Sequence, residues 1–179
     1  MKKIIKVKKR IFIVASACIF ALCLLSFTRP AAISVFSSFS QGERKLPIYC
    51  VDTPEKKISV SFDAAWGADD TDQLLQILAD NDVKATFFMC GYWVDKYPEE
   101  VKKIAEAGHD LGNHSATHPH MNSLSSEQIK TELEQTHQKV LDLTGESMNL
   151  FRPPFGEYNN TVIQTANDCG YYPIQWDVE

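Results

Sequence analysis

Four stretches of this sequence place chemically capable residues just after short apolar runs. The first is Ser61-Phe62-Asp63-Ala64-Ala65-Trp66-Gly67, where an aspartate ends a run of β-branched and aromatic residues. A carboxylate there is costly to desolvate unless it has a partner or a task. A turn or helix-capping aspartate is the plainer alternative. The second stretch runs from His109 to His118. If it turns helically, His114 and His118 at i and i+4 share one face, about 5–6 Å apart at Cβ. Two imidazoles so placed can grip one divalent metal, whereas two unrelated surface histidines is the competing reading. His109, His120 and His137 are expected to be structural or solvated. The third stretch is Arg152-Pro153-Pro154-Phe155-Gly156. Its arginine can orient a carboxylate while the prolines stiffen the turn behind it; a salt-bridging Arg beside a Pro-Gly turn is the alternative. The fourth, Trp176-Asp177-Val178-Glu179, stands at the end of the sequence.

The segments between these stretches alternate in type. Strands are predicted over 58–62, 85–89, 110–112, 150–151 and 173–177. The run 71–81 has helical spacing through Leu74, Leu75, Ile77 and Leu78. Pro98 with Glu99 and Glu100 suits a first helical turn, which Gly108 can close. Ser125 and Gln128 form a capping-box pattern ahead of Ile129, Leu133, Val140 and Leu141, with Gly145 as the stop. A last helix is predicted over 160–169. Strands alternating with helices imply an α/β fold with a parallel sheet or a barrel. Closed barrels of this kind typically need roughly 200 residues or more. Five units would leave an open apolar edge, so the domain is expected to be incomplete at its C-terminus.

Charge narrows the partners. The net charge is −5, yet six basic residues crowd into the first ten positions. The rest carries 12 basic residues against 23 acidic ones, a poor match for nucleic-acid phosphates. Residues 11–27 form a 17-residue apolar run, about 25 Å as a helix, behind that basic head. The pattern predicts a transmembrane helix within 1–28, a linker over 29–56, and a domain over 57–179 outside the membrane. Secretion after signal cleavage is the alternative, with no clean small-x-small site to support it. Cys50, Cys90 and Cys169 form no C-x-x-C pair, so a thiolate zinc site is not expected. One disulfide among them, or three small buried hydrophobes, fits the spacing.

In their order and spacing these clusters, with Thr86-Phe87-Phe88, Gly91 and Gly108 to His114, resemble the polysaccharide deacetylases of carbohydrate esterase family four, the NodB-homology group. The resemblance covers residues 57–179, and its Phe62–Gly67 form looks like a branch associated with sporulation. It implies a partly irregular (β/α) barrel with a divalent metal, usually zinc, at its mouth. Asp63 matches the general base, His114 and His118 the metal ligands, and Arg152 the residue orienting the base. The backbone N–H near Phe155 matches an oxyanion donor. The substrate implied is an N-acetylated glycan such as peptidoglycan or a chitin-like polymer, hydrolysed by metal-activated water whose proton passes to Asp63.

Two departures bear on this. Where the family carries an aspartate as third ligand, this sequence has Ala64, with Asp69 or Asp70 as the residues that could reach in. The family's late Leu-x-His, source of the general acid, has no match within residues 1–179, so that stretch alone is expected to be inactive. The expected function is a deacetylase. The rival is a glycan-binding pseudoenzyme with a weak metal site or none.

Overall fold

A computed structural model describes residues 43–178. The predicted membrane segment lies outside the described residues, and among these no helix is long and apolar enough to cross a membrane.

Five parallel strands stand side by side in chain order: β1 (Ser61–Ala64), β2 (Thr86–Met89), β3 (Asp110–Asn113), β4 (Leu150–Phe151) and β5 (Tyr172–Pro173). Helices form the crossovers, as parallel neighbours require. They are α1 (Thr71–Asp80), α2 (Gly91–Lys96), α3 (Pro98–Glu106), α4 (Ser126–Thr144) and α5 (Asn160–Asp168). The α/β architecture with a parallel sheet is therefore as expected. Ile48 adds one parallel bridge to Ile174 beyond β5.

Local chemistry sets the long helices. Ser125 Oγ accepts from the Gln128 N–H while the Gln128 side chain accepts from the Ser125 N–H, closing the capping box that opens α4. Gly145, at φ 75°, ends it in the left-handed conformation that suits glycine. Ile129, Leu133 and Val140 on α4 are fully buried, joining Phe151, Val101 and Ile104 in the core. Between β2 and β3 the contact is close. A Cβ on Gly112 would stand 2.5 Å from the Phe88 ring, so only glycine lets that ring lie flat on the strand.

The largest differences are at the first and last strands and at one short helix. The first strand begins at Ser61 rather than 58, because its partner β2 starts at Thr86 in register with Ser61. Ile58 is left 92% exposed. The last strand is two residues long, in register with the two residues of β4. Helix α2 went unpredicted: six residues are too few to display a helical period.

Candidate active site

Asp63, Cys90, His114 and Arg152 all stand at or just past the C-terminal ends of neighbouring strands, the edge where parallel α/β folds collect their chemistry. Asp63 leaves β1 with its side chain about one-third exposed. Arg152 follows β4 and is buried. Its Nη1 donates to Asp63 Oδ1 at 2.7 Å, and its Nη2 donates to Ser61 Oγ at 2.7 Å. The guanidinium lies over the Phe88 ring at 4.1 Å, so its plane is fixed from below as well as by its donors. Nε, buried, has no hydrogen-bond partner, so the fork is committed through its two terminal nitrogens.

The same residue positions a histidine. The Arg152 carbonyl faces His114 Nδ1 at 2.7 Å. A carbonyl only accepts, so the hydrogen sits on Nδ1 and Nε2 keeps its lone pair. That lone pair faces Asp63 Oδ2 at 3.8 Å. Two electron-rich atoms turned toward each other without a proton between them suit a cation. Burial, opposed by the Asp63 carboxylate, holds His114 below its ordinary value of 6.5. Burial does the same for His118. Both are thus neutral imidazoles near pH 7, the form that binds metal.

His114 and His118 do come together, with ring centroids 5.0 Å apart, although no helical turn connects them. The predicted i, i+4 helix face is replaced by a loop after β3 that turns through left-handed residues Ser115 and His118 (φ 67° and 56°). This non-glycine strain is held by specific bonds. Ser115 Oγ accepts from the His118 N–H, and Asn113 Oδ1 accepts from the Ser115 N–H. Glu132 of α4 accepts from the backbone N–H groups of Ala116 and Thr117 and from the Thr117 hydroxyl, each at 2.8 Å.

Phe155 is left-handed too (φ 58°) and half exposed. Its ring meets His118 edge-on at 4.5 Å and stacks on His120 at 4.4 Å. Trp66, 78% exposed, also lies near His118, with ring centroids 6.3 Å apart. Away from the site, His109 Nδ1 accepts from the Ala85 N–H and His137 pairs with the Tyr171 hydroxyl, both structural as expected. Asp69 and Asp70 are exposed ahead of α1 and do not join the histidines. Cys50, Cys90 and Cys169 are free thiols, so the disulfide is not formed. Two residues stand at the site that the sequence did not place there, one of them a cysteine for which no thiolate metal site was expected. Glu132 lies 14 positions past His118 and carries no local signal. Cys90 has its Sγ within 4.8 Å of the two histidine nitrogens, in a cluster no C-x-x-C spacing announces.

The buried histidines make stability pH-dependent. His109 and His114 are held below 6.5 mainly by burial, so the unfolded chain binds more protons than the folded one below that value. The metal-free protein should therefore hold its full stability above about pH 6.5 and lose it as pH falls. Thermal unfolding in chelator across pH checks this; a midpoint flat from about pH 7 to about pH 5 would contradict it.

Residues 51–174 match the polysaccharide deacetylase family. The peptidoglycan-N-acetylmuramic acid deacetylase PdaA of Bacillus subtilis is 34% identical over 131 residues, covering 73% of this chain and 50% of that protein. The solved structure of Bacillus subtilis PdaA, a family 4 carbohydrate esterase, superposes with a TM-score of 0.71 at 32% identity, covering 74% of this chain and 57% of that one. A family-four pseudoenzyme of Bacillus anthracis gives a TM-score of 0.72 at 36% identity, covering 74% and 47%. A mutant of that pseudoenzyme with restored enzymatic activity is 38% identical, with the same TM-score and 74% and 49% coverage. The chain spans about half the length of the curated relatives it matches. With the family domain covering most of its length and relatives above 30% identity across it, this chain belongs to the polysaccharide deacetylase family.

Proposed function

We propose that this chain forms the metal-binding core of a hydrolase that removes N-acetyl groups from an extracytoplasmic polysaccharide, peptidoglycan or a chitin-like glycan. The observation that carries the reading is the joint placement of Asp63, Arg152 and His114. One arginine fixes a carboxylate through its side chain and an imidazole through its carbonyl.

In this reading His114 and His118 hold a divalent metal, zinc by the chemistry of imidazole donors. Such a metal, when bound, supplies Lewis acidity toward the acetamide carbonyl and toward water. Asp63 is the general base. Its Oδ1 is occupied by Arg152, which leaves Oδ2 to take the proton of the attacking water. The backbone N–H of Phe155 is the oxyanion donor for the tetrahedral carbon. Trp66 and Phe155 offer exposed apolar faces beside His118 for a sugar ring.

A partly irregular (β/α) barrel is supported by the all-parallel strands in chain order. Residues 57–179 would then form the catalytic domain, tethered through 1–28. Protease added to intact cells should digest the domain and leave a membrane stub; a fully protected domain would refute that placement.

The second reading, a glycan-binding module without catalysis, is favoured by Ala64 and by the family-four pseudoenzyme among the structural relatives. Bound-metal analysis together with acetate release from N-acetylated peptidoglycan separates the two. Metal with acetate supports the hydrolase, and glycan binding with neither supports the module.

A further inference from the structure

We infer that Cys90 is the third protein ligand of this site, its thiolate taking the place of the carboxylate that Ala64 cannot provide; this rests on the metal-dependent reading above.

Cys90 stands one residue beyond β2, between the strand end carrying Ala64 and the strand end carrying His114. Its backbone N–H donates to the Ala64 carbonyl at 3.1 Å, and the His114 N–H donates to the Met89 carbonyl at 2.9 Å. The side chain at position 90 therefore enters the site from the strand next to the one that lacks a ligand. Its Sγ and one nitrogen each of His114 and His118 lie within 4.8 Å of one another. In a tetrahedral zinc site, Zn–S near 2.3 Å and Zn–N near 2.0–2.1 Å put such atoms roughly 3.2–3.7 Å apart. The three groups thus need to converge by about 1 Å, within the reach of small side-chain rotations.

The sulfur is otherwise weakly employed. It donates to the His114 carbonyl at 3.3 Å and shares a hydrogen bond with the Tyr92 side chain. A small buried hydrophobe would fit the complete burial of Cys90, but would not account for sulfur and two imidazole nitrogens gathered at one point. Burial pushes the free thiol up to about 12. Without a cation it is a neutral thiol, and a bound dication expels its proton to solvent. Charge also balances better. Two neutral imidazoles leave zinc's two positive charges uncompensated, whereas a thiolate supplies the negative charge that the absent carboxylate would have brought. The fourth position stays open for water or substrate, as in catalytic zinc sites.

The test uses the whole protein loaded with cobalt(II) and, separately, titrated with zinc by calorimetry. Wild type should show the intense near-ultraviolet band of a thiolate bound to cobalt. Cys90→Ser should lose that band and bind zinc about 100-fold more weakly. Adding Ala64→Asp to Cys90→Ser should restore the zinc affinity but not the band. The wild-type spectrum decides the matter even if the serine variant folds poorly. Zinc binding with no thiolate band, and with affinity indifferent to Cys90→Ser, overturns this assignment while leaving the metal site standing. Failure of wild type, Cys90→Ser and Ala64→Asp alike to bind zinc or cobalt overturns both.

Discussion

Asp63→Asn in the whole protein is expected to lower kcat by roughly 10²–10⁴-fold, the range typical of general acid–base groups. The amide matches the carboxylate in shape and can still accept from Arg152 through its oxygen, so the fold should be kept. What it lacks is a basic oxygen on the side facing His114. An effect confined to kcat marks an interaction made in the transition state, whereas a loss shared with KM or with stability would mark a structural residue. Steady-state acetate release with the thermal midpoint measured alongside makes the distinction. A variant within about threefold of wild type would remove Asp63 from the role of base.

His118→Ala should weaken zinc binding by about 100-fold or more, some 2.7 kcal/mol, because a direct ligand is worth at least the upper end of what outer-shell partners contribute. The expected cost to folding is small. His118 is only partly buried, and the bonds holding its loop run from backbone N–H groups and the Thr117 hydroxyl to Glu132, Asn113 and Ser115 rather than from its ring. A circular dichroism spectrum like that of wild type, together with lost zinc binding, is the predicted pair of results. Unchanged zinc affinity would mean the metal is held elsewhere.

Much of the scaffold could be read from local chemistry. The capping box at Ser125 and Gln128, the proline opening α3 and the glycine closing α4 are rules written in adjacent residues, and each appears where the residues predict it. The parallel sheet also followed, since strands alternating with helices leave few arrangements. What escaped depends on groups distant in the chain. The His114–His118 turn looks helical by spacing, but three bonds from Glu132 and two from the Asn113 and Ser115 side chains hold it in left-handed conformations. Arg152 was legible as a partner for a carboxylate, whereas the use of its carbonyl to set the His114 tautomer was not, because a backbone oxygen leaves no mark in a sequence. Cys90 escaped for a related reason. Thiolate metal sites are recognised by cysteines two residues apart, whereas here the three donors come from the ends of two strands and the loop that follows.

In the proposed function, the residues gathered around Asp63 and His114 hold a metal and use it to cleave acetamides. Acetate release from N-acetylated peptidoglycan by the whole protein, followed through chelation and zinc readdition, addresses it most directly. Acetate is expected from the zinc-loaded protein, none after chelation, and recovery when zinc is returned. A protein that binds zinc at these histidines and binds the glycan, yet releases no acetate, would contradict it.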